Sequence, residues 1–230
     1  MRKWPFFTRL KPQPRNQFEH ILKKYDATAY PPGVNLTDLE VIQWAPVWMT
    51  RAERLLLYTL SFALRPERYL EIGTLHGGSA LLIAAAMDAL ESQGRLVCVD
   101  PQPKIAPEHW QRLAHRTTLL TGYSPDILPQ AREAAGGLFD LILIDGDHTY
   151  AGAQRDACGV LPFAANGAYI LFHDSFSTEV GRAIDEFVTE YAHEVVDFGS
   201  LTRDYTVMPE LGPAQWGGLR MVQVRRASRS

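Results

Sequence analysis

RYLEIGTLHGGSALLIAAAMDALES, residues 68–92, decides the fold. It opens on a short β-branched and aromatic run, passes through glycines at 73, 77 and 78, and continues in an unbroken helix-forming segment (77–92). A strand that runs through a glycine turn into a helix is the opening half of a βαβ unit. The same change of period recurs downstream. GRLVCVD (94–100) precedes a helix around Pro107 to Ala114, and TTLLTG (117–122) precedes a helix for which Ser124-Pro125 offers an N-cap with proline at N1. FDLILID (139–145) precedes a helix from about Tyr150 to Phe163, and GAYILFHD (167–174) precedes one from Thr178 to Ala192. EVVDFG (194–199) and LRMVQV (219–224) read as two last strands with no helix between them.

The strands lack strict apolar–polar alternation, so they belong to a parallel sheet covered on both faces. Five strand–helix steps and a terminal pair predict one α/β, doubly wound domain on a mostly parallel, seven-stranded sheet. Residues 65–230 hold it. Residues 16–64 read as an N-terminal helical extension or lid, with segments at Asn16–Ala27 and Asn35–Trp48 separated by Tyr30-Pro-Pro-Gly33. Thr50-x-x-Glu53 is a capping box that opens a last helix, TRAERLLLYTLSFAL. Residues 1–15 form a basic flexible arm.

Composition narrows the function. The chain has 230 residues, 46% apolar and 21% charged, with a formal net charge of −3. Residues 1–15 carry five basic side chains and no acid, and Arg225, Arg226 and Arg229 lie at the other end. Without those eight, 15 basic residues face 26 acidic ones, a net charge of −11. Such a body lacks the basic face that phosphate neutralisation requires, which argues against a nucleic-acid partner. Cys98 and Cys158 sit in apolar stretches without metal-ligand spacing and read as reduced core residues. With no secretory h-region and no 18-residue apolar stretch, the expected place is the cytoplasm, with no membrane span.

In a doubly wound sheet, ligands bind beyond the carboxyl ends of the strands, where the strand order reverses. Five consecutive strand ends carry polar or glycine residues: Glu71 to Ser79, Asp100, Gly122-Tyr123-Ser124, Asp145-Gly-Asp147-His148, and His173-Asp174. The first loop lets backbone approach a ligand, but Leu75 breaks the dinucleotide G-x-G-x-x-G pattern. Asp100 is placed to accept hydrogen bonds from a ribose diol, or else to cap the helix that follows. Asp145, Asp147 and Asp174 repel one another unless a cation or a proton lies between them, which suggests oxygen ligands for a divalent metal. The alternative is a set of caps and loop hydrogen bonders around a satisfied, buried His173.

EIGTLHGGSALLIAAAM, VCVD, LILIDGDHTYAG and LFHDSF together resemble the class I S-adenosylmethionine-dependent methyltransferases, over roughly residues 50–192. Within that class they are similar to the metal-dependent small-molecule O-methyltransferases: the macrocin and sugar O-methyltransferases with their cephalosporin-hydroxylase-like relatives and, more distantly, catechol and caffeoyl-CoA O-methyltransferases. The resemblance implies a Rossmann-like sheet whose last strand is antiparallel. It implies methyl transfer from S-adenosyl-L-methionine to a hydroxyl of a sugar, polyketide or phenolic acceptor, assisted by Mg²⁺ or Mn²⁺, and admits a homodimer or higher homo-oligomer. Glu71, Gly73, Gly77, Gly78 and Ser79 would hold the methionine moiety, Asp100 the ribose, and Tyr123 with Ser124 the adenine. Asp145, His173 and Asp174 fall at the metal-ligand positions, Asp145 also bordering the donor, and Asp147 or His148 would be the base.

The family's pattern has Asp or Glu where His173 stands. A nitrogen ligand suits Mn²⁺, Fe²⁺ or Zn²⁺ better than Mg²⁺, the alternative being a metal on Asp145 and Asp174 alone. An iron-dependent hydroxylase built on His148, His173 and the aspartates would leave the glycine loop and Asp100 without a role. A non-catalytic binding protein on the same fold is the third alternative. Leu201–Gly218, with Tyr205, Met208 and Trp216, is expected either to cover the site or to form a surface loop or dimer contact.

Overall fold

A computed structural model describes residues 39–207 and 215–226. The basic arm, the segment Asn16–Ala27, Met208 and Arg229 lie outside the described residues. All those described belong to one compact unit, Asn35–Ser230.

Chain order runs α1 (Val41–Trp44), α2 (Arg51–Leu64), β1 (Arg68–Ile72), α3 (Gly78–Ala89), β2 (Arg95–Asp100), α4 (Pro107–Leu113), β3 (Thr117–Thr121) and α5 (Leu128–Ala135). It continues with β4 (Phe139–Ile144), α6 (Tyr150–Val160), a 3₁₀ turn (Leu161–Phe163), β5 (Ala164–Phe172), α7 (Thr178–Glu190), β6 (Val195–Ser200), β7 (Thr206–Val207), β8 (Gln215–Trp216) and β9 (Arg220–Val224). The main sheet has seven strands in the order β3-β2-β1-β4-β5-β9-β6. β1 to β5 pair in parallel, and β9 inserts antiparallel between β5 and β6. This is the Rossmann-like sheet with one antiparallel strand that the sequence predicts.

Alternate strand residues feed two cores. Tyr69, Leu96, Cys98, Leu141, Leu143 and Leu171 pack with α1, α2 and α3. Leu70, Ile72, Val97, Val99, Ile142 and Ile144 pack with α5, α6 and α7 on the opposite face. Helices cover both faces, which explains why the strands read as continuous apolar runs. α3 is buried along nearly its whole surface because α2 covers the side turned away from the sheet. Neither Cys98, in the core, nor half-buried Cys158 is in a disulfide. Among the described residues, no helix is long and apolar enough to cross a membrane.

Two expectations need correction. Within Asn35–Trp48 the described helix is only Val41–Trp44, because Ala45 is extended ahead of Pro46, and proline disfavours helical backbone at the residue before it. Ser124-Pro125 does not cap α5: Ser124 turns inward beside Asp156 at 4% exposure, and the helix starts at Leu128 with Pro129 in its first turn. Between β6 and β9, β7 and β8 pair as a two-stranded sheet.

The Thr50 capping box forms as expected. Thr50 Oγ1 accepts from Glu53 N at 3.3 Å, while Thr50 N donates to Glu53 Oε2 at 2.6 Å. Thr50→Ala is expected to cost about 1 kcal/mol of unfolding free energy in urea denaturation; an unchanged midpoint would refute this role for the cap.

Candidate active site

The strand order reverses beside β1, which is hydrogen-bonded to β2 on one edge and β4 on the other. The loops after β1 and β4 therefore leave in opposite directions and open a cleft of about 390 Å³. The ladder runs one residue past each strand and fixes the cleft floor. Gly73 N donates to Val99 O (2.9 Å), Asp145 N to Ile72 O (2.8 Å) and His173 N to Ile144 O (3.0 Å). Gly73 has φ +90°, and a Cβ there would stand 1.9 Å from the Asp145 carbonyl oxygen, so only glycine lets the two strand ends approach so closely. At Gly78 a Cβ would meet the Pro46 backbone at 2.5 Å, because Pro46 to Trp48 lies against the start of α3.

On the donor side, Asp100 is buried and already accepts two backbone bonds, from Leu75 N (2.8 Å) and Gln102 N (2.7 Å). It holds its own loop and, as a carboxylate with four lone-pair sites, keeps acceptor capacity toward the cleft it lines. Leu75, held by Asp100, has φ +42°, a conformation that costs a non-glycine residue on the order of 1 kcal/mol. Gly73, Gly78, Ser79, Tyr123, Ser124, Asp145, Asp147, His148, His173 and Asp174 all line the same cleft.

Glu71 and Gly77 do not line it. Glu71 is fully buried beneath the glycine loop, where the Tyr69 hydroxyl donates to its Oε2 at 2.8 Å and its Oε1 has no hydrogen-bond partner among the described residues. Burial pushes its carboxyl up to about 7.

The second constellation is tighter. His148 Nε2 lies 2.9 Å from Asp174 Oδ2 and 3.5 Å from Asp145 Oδ1. His173 Nδ1 lies 2.9 Å from Asp145 Oδ1 and 3.3 Å from Asp174 Oδ2. Ligand atoms of Asp145, His148 and Asp174 lie within 4.8 Å of one another. His148, rather than His173, stands at the third corner. The His173 ring is held behind the carboxylates, 4% exposed, with Nε2 turned to Glu53 Oε2 at 3.6 Å.

Hydrogen bonds to Asp145 and Asp174 raise His148 to about 10. Burial opposes a charge on His173, but the carboxylates of Asp145, Asp174 and Glu53 outweigh it and raise its pKa. Burial likewise works against ionised Asp145 and Asp174, and the two imidazoles hold both below the usual carboxylate range. Three carboxylates thus face two imidazolium rings, leaving one surplus negative charge. A divalent cation in place of the His148 proton brings the group to neutrality.

Asp147 lines the cleft outside this cluster. It is exposed, and its Oδ1 accepts from Thr149 N at 3.0 Å in the turn that starts α6. That bond holds its pKa below the usual range.

Residues 70–175 match a family model described as a methyltransferase domain. A catechol O-methyltransferase of Mycobacterium tuberculosis is 40% identical over 96 residues, which are 40% of this chain and 41% of that protein. One from Niastella koreensis is 36% identical over 96 residues, 40% of this chain and 42% of that protein. The chain therefore spans about two fifths of the length of the curated relatives it matches. Two solved structures share the fold of the domain and its flanks. The O-methyltransferase TomG from Streptomyces achromogenes, in complex with SAM, has a TM-score of 0.59 at 17% identity, covering 93% of this chain and 99% of its own. The O-methyltransferase from Bacillus cereus, in complex with SAH, has a TM-score of 0.60 at 23% identity, covering 90% and 97%.

Three residues, two lining the cleft and one buried behind it, are not marked as site residues by the sequence. Glu53 shows there only as a capping residue. Trp48, 76% exposed, lines the cleft from the segment before α2. Asp156, buried, reaches it from α6, and its one signal is an acid on an apolar helix face.

Glu71 gives a signed expectation. Its carboxyl titrates near 4.5 in the unfolded chain and about 7 in the folded one, so the folded state binds its proton more tightly. The stability this provides is complete below pH 4.5 and lost as pH rises through 7, a change on the order of 3 kcal/mol. Glu71→Gln, which does not titrate, should lose less stability than the wild type between pH 5 and 8 in urea denaturation. Parallel losses would rule out the buried, proton-binding carboxyl.

Proposed function

We propose that this protein transfers the methyl group of S-adenosylmethionine to a hydroxyl of a small molecule, with a divalent metal assisting. The observation that carries this is one cleft lined both by the glycine loop with Asp100 and by the Asp145–His148–Asp174 cluster. The methyltransferase domain match and the catechol O-methyltransferase relatives support it. The division into an arm (1–15), a helical extension (16–64) and a donor-binding domain (65–230), a cytoplasmic location and a homo-oligomeric state belong to the same proposal.

In this reading Gly73, Gly78 and Ser79 pass along the donor's methionine end, with the buried Glu71 carboxyl beneath them facing its ammonium. Asp100 takes the ribose hydroxyls, and Gly77 allows the turn into α3. Tyr123 and Ser124 flank the adenine. S-Adenosylmethionine supplies a methyl group on a cationic sulfonium, and the acidic cleft favours that charge. Holding acceptor oxygen and methyl carbon in line is the main task left to the protein.

Asp145 and Asp174 would hold the metal, which as a Lewis acid lowers the pKa of a bound hydroxyl. His173 remains behind them as a positive partner of Asp145. Relieved of its ion pairs, His148 is a neutral imidazole whose Nε2 accepts the hydroxyl proton. It suits that role better than Asp147, whose carboxylate is turned to the first turn of α6 and is the weaker base. Trp216, edge-on to His148 with ring centroids 5.5 Å apart, walls the acceptor side.

Calorimetry with S-adenosylhomocysteine tests the donor half. Micromolar binding is expected, weakened at least tenfold by Asp100→Ala through loss of hydrogen bonds to a charged acceptor. No binding at millimolar nucleoside would overturn the methyltransferase proposal. Turnover with a panel of catechols, phenols and sugars, before and after EDTA and with Mg²⁺ or Mn²⁺ restored, tests the metal half. Activity indifferent to EDTA would remove the metal.

A further inference from the structure

The first turn of α2 holds a group that helix capping alone does not explain. Glu53 is completely buried, yet its capping bonds to Thr50 require no burial. A capping interaction is a small stabilisation, whereas taking a carboxylate out of water is costly unless it gains other partners. Glu53 has them. Its Oε1 accepts from the backbone N–H of Gly218. Its Oε2 faces His173 Nε2, which is buried and has no hydrogen-bond partner among the described residues.

Each contact leads to one aspartate of the cation cluster. His173 passes through its other ring nitrogen to Asp145 Oδ1 at 2.9 Å. The turn at Gly218 continues into Gly217, whose N–H donates to Asp174 Oδ1. The same turn is zipped to the chain beyond Asp174, with Ser175 N donating to Gly218 O (3.2 Å) and Phe176 N to Gly217 O (3.1 Å). Asp174 itself sits at φ +53°, a left-handed backbone that aspartate tolerates but does not prefer. Such a conformation persists when its surroundings fix it.

We propose that Glu53 is a positioning residue: it fixes the His173 ring on one side and the Gly217–Gly218 turn on the other, and through them aims Asp145 and Asp174 at the cleft. The proposal rests on the Asp145–Asp174 pair being the cation site and adds to it a residue outside the 70–175 domain match. His173 then stands as the middle member of an Asp145–His173–Glu53 chain, with the second carboxylate supplied from α2. Ligation falls to Asp145 and Asp174, and orientation to His173 and Glu53.

The test compares the full-length wild type, Glu53→Gln and Thr50→Ala. Thr50→Ala removes the cap's hydroxyl but leaves the Thr50 N–H, Glu53 and all its inward contacts, so it controls for a merely helix-stabilising role. Two measurements need no metal: the side-chain ¹⁵N signals of His173, assigned with His173→Gln, and the hydrogen-exchange rate of the Gly217 amide. A third is Mn²⁺ affinity by calorimetry.

Glu53→Gln is expected to shift the His173 signals, speed Gly217 exchange at least tenfold and weaken Mn²⁺ binding at least tenfold. Thr50→Ala, though less stable, should stay within twofold of the wild type in both rate and affinity. The proposal is overturned if Glu53→Gln leaves the His173 signals and Gly217 exchange unchanged, or if Thr50→Ala reproduces its effects. A wild type that takes up no Mn²⁺ would instead remove the cation site, since the first two measurements report on Glu53 without it.

Discussion

Asp145 and Asp174 end adjoining parallel strands, and their carboxylates cannot both stay ionised in a half-buried cleft without positive charge between them. The surrounding architecture answers that requirement. The hydrogen-bonded ladder carries β1, β4 and β5 one residue past their strands, so the carboxylates have little room to separate. Two imidazolium rings provide positive charge, one open to the cleft and one closed behind it. In the proposed site the open ring would give way to a divalent ion, while the closed one belongs to the framework.

The donor half of the cleft follows a different logic, in which shape matters more than charge. Gly73 admits the Asp145 carbonyl, Gly78 admits the Pro46 backbone, and Asp100 ties the intervening loop down through Leu75. Two halves with separate physical requirements meet across one central strand. In the proposed function, that arrangement would bring a cationic donor and an acceptor hydroxyl within reach of each other.

Much of this was legible in the chain. The alternation of apolar runs with helix-forming segments predicts the doubly wound sheet, and the polar strand ends place the cleft. Thr50 and Glu53 mark the start of α2. Other features depend on tertiary contacts that no local pattern records. Ser124 has the chemistry of an N-cap but turns inward beside Asp156. His148 and His173 are both histidines next to aspartates in sequence, and only the depth of each strand end separates the open ring from the closed one. Glu53 reads as a cap because its capping partner is three residues away, while its inward partners, His173 and Gly218, are more than a hundred residues distant.

The placement of β9 bears on where this chain can be cut. The domain match ends at residue 175, but the free edge of β5 is closed by residues 220–224, which arrive from the far end of the chain. A fragment limited to the matched region would expose that edge as an unpaired row of amide and carbonyl groups along an apolar strand, a template for association between copies. It would also lack the α1 and α2 residues that complete the core on one face of the sheet. The motifs of the proposed site fall within residues 70–175, but the packed unit extends from at least α1 to β9.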